Sequence, residues 1–474
     1  MKKKLISVFA AALVLVLCIA ALVACNPYKA DSIGSGDSNA AVESNGGYVV
    51  KQGRFIYFIN GYVGESADNA WGKATKQGIV RAEYKNGQVD PSTAKLVVPK
   101  SVYNSSTAGG IAVHGDWIYY TSVNTDKDKS GTASTVNTDF MRTKTDGSVT
   151  QLIGTIGSRS AKYMFTESRV LYFVNNTIGY IDFSGMNDKT TDKGKGAVKG
   201  TLVENVENVV WDYATDTIFF VESAPSKDSY KNYNNLCSIK ADGSDKKTLA
   251  TIDTFVSEGK DPVNDQLNVF KYSLVNMYVE EDGDCTLYYT KSHTLDSESY
   301  TDGLFMAKAS NFKGTQKLLN KIASTTLVPL GYGKEGALAG ALAYNSQSVY
   351  CWYNGEVDED GNVKNPLQVT SSSQTIWKVD QTNGIVYFTS TSSATSISKI
   401  SYREAKDNAT VIMAEGIKTD WLVLDFVGND FFFFATDDEN YLHTINLDTF
   451  DKNAKDAKST YIGCPTDRLK EKEA

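Results

Sequence analysis

The sequence predicts an all-β chain folded as a β-propeller of four-stranded blades, with eight blades preferred and seven as the alternative. Three observations lead there. A β-branched or apolar residue followed by aromatic residues recurs eight times. Each copy sits in the same local order of short strand, turn, strand, polar loop and strand. Helical periodicity is almost absent, while period-2 alternation rich in Tyr, Val, Ile and Thr is common. Four strands per repeat over about eight repeats is a propeller pattern, because one small sheet cannot cover both faces and a ring of sheets can.

The chain begins with Lys2 to Lys4 and an apolar run from Leu5 to Ala24, the layout of an export signal. The run is long enough to span a bilayer as a retained helix. Its end points elsewhere: Leu22-Val23-Ala24-Cys25 resembles the bacterial lipobox, in which the cysteine receives diacylglycerol before cleavage. That resemblance implies a signal peptide over 1–24 and a lipid-modified (palmitate-bearing) Cys25. It also implies a place on the extracytoplasmic side of the cell membrane, held by two acyl chains. Residues 25–47, rich in Ser, Gly, Asn, Asp and Ala, read as the lipidated cysteine and a flexible tether of roughly 25 Å reach.

Residues 48–463 read as the propeller. The anchors are Ile56-Tyr57-Phe58, Ile118-Tyr119-Tyr120, Leu171-Tyr172-Phe173 and Ile218-Phe219-Phe220. They continue as Leu287-Tyr288-Tyr289, Val349-Tyr350-Cys351, Val386-Tyr387-Phe388 and Phe431-Phe432-Phe433. Each is placed in the second strand of its blade. The sixth copy, Ala341 to Ser373, is the least regular and is the reason seven blades stay in view. Residues 464–474 form a charged tail.

Two third-to-fourth-strand turns are near copies, Lys144-Thr145-Asp146-Gly147-Ser148 and Lys240-Ala241-Asp242-Gly243-Ser244, and Asp-Gly suits a tight hairpin. Tyr119-Tyr120-Thr121, Tyr288-Tyr289-Thr290 and Tyr387-Phe388-Thr389, followed by strands ending in such turns, resemble the YWTD propeller repeat of low-density-lipoprotein receptors. The pattern is more similar still to bacterial lipoprotein propellers built on the same repeat. The resemblance covers most of 48–463 and implies a fold with no catalytic residues. The strict YWTD tetrapeptide is absent, so receptor function does not transfer.

Composition narrows the partners. Net charge is −8, and without Lys2 to Lys4 the mature chain carries 45 basic against 56 acidic residues, or −11. With no long basic run, nucleic acid is not an expected partner. Cys237, Cys285, Cys351 and Cys464 form no CxxC pair; they read as buried small residues, with a disulfide open to an exported chain. His114, His293 and His443 fall in different blade positions, and no GxSxG, HExxH or P-loop occurs. Neither a cofactor nor a catalytic residue is expected. Asp126, Asp128 and Ser130 match the opening of a calcium loop, but its twelfth position is Asn137, so the stretch reads as a solvated loop.

Strand alternation places the second-to-third-strand loops on the same face as the links between blades. Those loops are long at Ile59 to Gln77, Thr121 to Thr138, Glu222 to Asn234 and Thr290 to Asp302, and the link Asp253 to Tyr272 is longer again. They carry Tyr62, Trp71, Tyr230, Tyr233, His293 and Tyr300, the candidate ligand-binding residues. The expected function is a membrane-anchored binding or scaffolding module for a glycan, peptide or envelope protein. The alternative is a hydrolase or lyase acting on extracellular polysaccharide or peptide from the central channel.

Overall fold

A computed structural model gives the architecture. It describes residues 33–61, 78–100, 102, 110–123, 137–189, 194–225, 232–252, 254–255, 268–295, 298–324, 326–333, 339–345, 347, 349–360, 362–364, 367–370, 374–381, 383–390, 397–402, 410–413, 425–434, 442–450 and 460–462. The lipidation candidate Cys25 lies outside these residues. Among them, no helix is long and apolar enough to cross a membrane.

Eight antiparallel sheets follow one another along the chain, and together they form an eight-bladed propeller. Blade 1 comprises Val49–Gln52, Phe55–Ile59, Ile79–Lys85 and Gln88–Val98. Blade 2 comprises Ala112–His114, Trp117–Val123, Thr138–Lys144 and Thr150–Ile156. Blade 3 comprises Lys162–Phe165, Arg169–Val174, Thr177–Asp182 and Val198–Glu204. Blade 4 comprises Val206–Asp212, Thr217–Pro225, Asn232–Lys240 and Lys247–Ile252. Blade 5 comprises Asn268–Val279, Cys285–Leu295, Glu298–Lys308 and Lys317–Asn320. Blade 6 comprises Leu327–Pro329, Ala341–Tyr344, Tyr350–Tyr353 and Leu367–Gln368. Blade 7 comprises Gln374–Asp380, Ile385–Ser390, Ile397–Ser401 and Thr410–Met413. Blade 8 comprises Asp425–Val427, Asp430–Phe434, Leu442–Asn446 and Thr460–Tyr461. Thr254–Phe255 pairs with the start of blade 5 as a fifth strand, and Val42–Glu43 does the same in blade 1.

The aromatic anchors explain why the sheets assemble. Side chains alternate along a strand, so two adjacent aromatics send one ring to each neighbouring blade. Tyr57 and Tyr120 meet in the seam between blades 1 and 2, whereas Ile56 and Phe58 turn toward blade 8. Eight such apolar clusters fill eight seams. The ring therefore closes, with Val427, Phe432 and Leu442 of blade 8 against blade 1.

The sixth blade corrects one assignment. Its anchor Val349-Tyr350-Cys351 belongs to the third strand, and the second strand is Ala341–Tyr344. Ala341 and Ala343 there share one seam with Tyr353 of the third strand, while Tyr344 and Tyr350 pack on the opposite face with centroids 4.1 Å apart.

The repeated Asp-Gly-Ser turns lock seams. Asp146 Oδ1 accepts the Ser148 amide at 2.9 Å and Asp242 Oδ1 the Ser244 amide at 2.8 Å. Those turns expose the carbonyls of Thr145 and Ala241. Arg81 Nη1 of blade 1 donates to Thr145 O at 3.0 Å, and Arg169 Nη1 of blade 3 donates to Ala241 O at 3.2 Å. The motif thus presents a fixed carbonyl to the guanidinium of the preceding blade.

Residues 33–47, expected as tether, are docked on the ring. Ile33 and Val42 pack on the blade 1–2 seam, Gly34 O accepts from Arg81 Nη1 at 2.8 Å, and Asp37 Oδ2 accepts the Arg54 amide at 2.9 Å. The chain then runs beside the first strand of blade 1, Val42 opposite Gln52 and Glu43 opposite Lys51. First strands of successive blades touch one another and line the channel, so this segment lies on the channel wall. Polar, glycine-rich composition hid this, because the segment is held mainly by backbone hydrogen bonds, which leave little hydrophobic signal.

The described cysteines, Cys237, Cys285 and Cys351, are buried free thiols in three different seams. Burial pushes the Cys237 thiol up to about 11 and Cys285 up to about 12.

Candidate functional site

Blade 5 carries the longest set of neighbouring strands, of 12, 11 and 11 residues. Its second and third strands run well past the end of the fourth, which pairs only with Leu304 to Met306. The stretch Thr290 to Asp302, expected as a loop, is instead the outer half of this hairpin. Thr290, Ser292 and Thr294 alternate with Lys291 and His293, and such alternation with β-branched residues favours a strand. Likewise the expected loop Glu222 to Asn234 narrows, because blade 4 strands continue to Pro225 and resume at Asn232.

Three side-chain rows cross one face of blade 5. Leu274, Tyr289 and Phe305 form the lowest row, and Tyr272, Lys291 and Gly303 the next. Phe270, His293 and Tyr300 form the outermost row. The lowest row packs against blade 4, and Tyr272 and Phe270 of the rows above join the same cluster. In the outermost row the rings stand in a pile: Phe270 and His293 have centroids 5.3 Å apart, and His293 and Tyr300 lie 5.0 Å apart, 13° from parallel. Tyr300 is 42% exposed, one of four large apolar side chains so open among the described residues.

A β-bulge makes the pile. Lys291 pairs with Gly303 and Ser292 with Thr301, so Asp302 is the extra residue. The inserted residue reverses the alternation, which brings Tyr300 onto the face of His293. Gly303 supports the bulge at φ 130°, a conformation that side-chain-bearing residues rarely adopt. The carboxylate of Asp302 sits 2.9 Å from His293 Nδ1 and fixes the ring orientation. The Tyr300 hydroxyl donates to Glu298 Oε2 at 2.8 Å. Lys291 Nζ lies over the Phe270 ring at 5.1 Å and near the Phe305 ring at 6.0 Å, a cation–π arrangement.

Of the residues singled out in the sequence, the structure brings His293 and Tyr300 together. Tyr233 sits in a blade 4 strand opposite Ala224, its side chain outside the described residues. Tyr62, Trp71 and Tyr230 lie outside the described residues, as do Asp126, Asp128 and Ser130. Phe270, Lys291 and Asp302 are not among the residues the sequence singles out, and Phe270 falls within the expected blade link. The other histidines are elsewhere. His114 Nε2 is 3.0 Å from Phe165 O at the turn face, where burial lowers its pKa, and His443 stacks on Phe433 in blade 8. Among the described residues, no group of three or more His, Cys, Asp or Glu side chains is placed to hold a metal.

No protein-family model matches this chain, and no curated protein matches it. Solved structures resemble it weakly. The β-propeller domain of the Trilobed protease from Pyrococcus furiosus is 9% identical with a TM-score of 0.34, covering 89% of this chain and 95% of that one. Saccharomyces cerevisiae Sqt1 is 11% identical with a TM-score of 0.39, covering 76% and 85%. Porphyromonas gingivalis dipeptidyl peptidase 4 is 11% identical with a TM-score of 0.38, covering 92% and 61%. Similarity at this level carries no information about activity or ligand.

Proposed function

We propose that the chain is a membrane-anchored, extracytoplasmic propeller lipoprotein that acts as a binding module, with the Phe270–His293–Tyr300 pile as its contact site. The observation that carries this reading is the Asp302 bulge. It re-aims an exposed tyrosine and orients a histidine at the end of a rigid blade, beside a Phe270 ring that rests on the core below. Aromatic rings held in this way suit flat ligands such as sugar rings, and also peptide side chains. The channel, where the alternative hydrolase reading would place its chemistry, has residues 42–47 along its wall. A shallow aromatic face on the loop side favours binding over catalysis there. The anchor rests on the lipobox-like residues ending at Cys25.

The test uses the full chain in detergent, titrated calorimetrically with cell-wall glycans, common polysaccharides and a peptide pool. Saturable binding that falls about tenfold in Tyr300→Ala and His293→Ala, both still folded, is the expected result. Binding unchanged in both variants would remove the site from the pile. In cells, Cys25→Ser is expected to lose incorporated fatty acid and leave the membrane fraction; retention in that fraction would refute the lipid anchor.

A further inference from the structure

The acids around the pile are each engaged in placing a ring. Asp302 holds His293 and Glu298 accepts the Tyr300 hydroxyl. Lys291 is not matched in that way. Among the described residues, Lys291 Nζ has the Phe270 and Phe305 rings near it and no carboxylate within ion-pair distance. Some lysines of the ring do have such partners: Lys144 meets Asp116 and Asp188, Lys246 meets Glu222, and Lys271, in the same blade, meets Glu207 of blade 4. Lys308 and Lys317, also in blade 5, lie like Lys291 on a ring, that of Tyr332, but not beside the pile. The second ring nitrogen of His293, Nε2, likewise has no hydrogen-bond partner among the described residues. The site therefore presents a cation and a ring nitrogen beside its aromatic surface.

Spacing limits what could use both. Lys291 and Tyr300 are close to diagonal neighbours across one strand pair, a relation that separates side chains by roughly 7–8 Å. That is the scale of one pyranose ring with a carboxylate arm. Gly303, directly opposite Lys291, adds no side chain between them. From this geometry we infer that the pile takes an acidic glycan, a polymer with hexuronate units. One sugar face lies against Tyr300, and its carboxylate meets Lys291 with His293 Nε2 beside it. The cation–π contact keeps the ammonium partly dehydrated, so an arriving carboxylate displaces little water from it. The inference rests on the binding reading given above and specifies its ligand.

The experiment titrates the full chain in detergent with three probes: a homo-oligomer of galacturonate, a neutral galactose oligomer of equal length, and an acidic peptide. Lys291→Met keeps the aliphatic stem over the rings and removes the charge. The uronate oligomer is expected to bind at least about tenfold tighter than the neutral one, with that preference weakened by salt and abolished in Lys291→Met. Melting temperatures of wild type and variant show that the fold is kept. Equal binding of both oligomers, with Lys291→Met silent, overturns the acidic-glycan inference and leaves the binding module standing. Peptide binding without glycan binding overturns the ligand class alone. If none of the probes binds and a wider glycan and peptide panel is also refused, the binding reading itself falls.

Discussion

Asp425 opens the first strand of blade 8 and faces the start of blade 1. Its Oδ2 accepts the amides of Tyr48 at 2.8 Å and Val49 at 3.1 Å, while Oδ1 accepts the Phe426 amide at 2.9 Å. One carboxylate thus satisfies donors on both sides of the closing seam. Burial pushes its pKa up to about 6, and the three backbone donors only partly counter this. Because the folded value lies above the unfolded one, its contribution to stability is fully present below about pH 4 and is lost as pH rises through about 6. Denaturant unfolding across that window, wild type against Asp425→Asn, is expected to show a difference in free energy that changes by about 3 kcal/mol, favouring wild type at the acid end. Parallel curves for the two proteins would mean that Asp425 does not titrate in this range. Nothing at the level of residue type marked this aspartate. Its role comes from pairing across 376 positions of sequence separation, which no local pattern encodes.

At the scale of the strand, what the sequence displays and what it conceals have one cause. Seven of the eight aromatic anchors fall at second-strand positions, because the same pair of rings fills two seams and so leaves a pattern within three residues. Blade 6 breaks the pattern because Tyr353 in its third strand shares the seam in which its second strand offers only Ala341 and Ala343. The candidate site was half legible. His293 and Tyr300 stood out as aromatic-type residues among polar ones, but Thr, Ser and Lys around them suggested a loop, and the bulge that joins them is a matter of register. That register is testable. Deleting Asp302 removes the bulge but keeps Thr301 opposite Ser292 and Tyr300 opposite His293, so the ring pair stays while His293 loses its carboxylate partner. Ligand affinity is then expected to fall by less than in Tyr300→Ala. The melting temperature should move little, since the hairpin here lies outside the four-stranded part of the blade. Calorimetry and a thermal melt on the deletion protein decide it. Affinity lost as fully as in Tyr300→Ala would show that this register does not hold the ring pair together.

For the whole molecule, the question is what keeps an eight-membered ring shut when blade 8 is made only of C-terminal strands. Among the described residues no strand from the chain start joins its sheet, so the described backbone does not cross the seam within one sheet. The segment before blade 1 performs that service from the channel. Ser44 Oγ donates to Phe426 O of blade 8 at 3.1 Å, and Asn45 exchanges two hydrogen bonds with Val113 of blade 2. Gly46 and Gly47 pair with Gly110 and Ile111 of blade 2 at 2.7 to 2.9 Å. A single stretch of chain therefore ties blades 8, 1 and 2. Its entry beside Asp37 and Arg54 lies at the turn face, opposite the loop face that bears the Tyr300 pile. On a lipid anchor, this routing would hold the turns toward the bilayer and the pile outward. Gly110 is the point at which the tie can be loosened, since a Cβ there would stand 1.9 Å from the Gly47 carbonyl oxygen. Gly110→Ala is expected to destabilise the protein by about 2–4 kcal/mol. Gly157→Ala serves as the control: its nearest neighbour, Asn137 Oδ1, would be at 3.8 Å. Hydrogen exchange separates local damage from an opened ring. Amides of Asp425–Val427 and Val49–Gln52 should lose protection together, while those of Thr217–Pro225 in blade 4 keep theirs. If only Gly110 and its neighbours in blade 2 lose protection, the seam closes on its apolar cluster alone and the tie is an addition to a ring already shut.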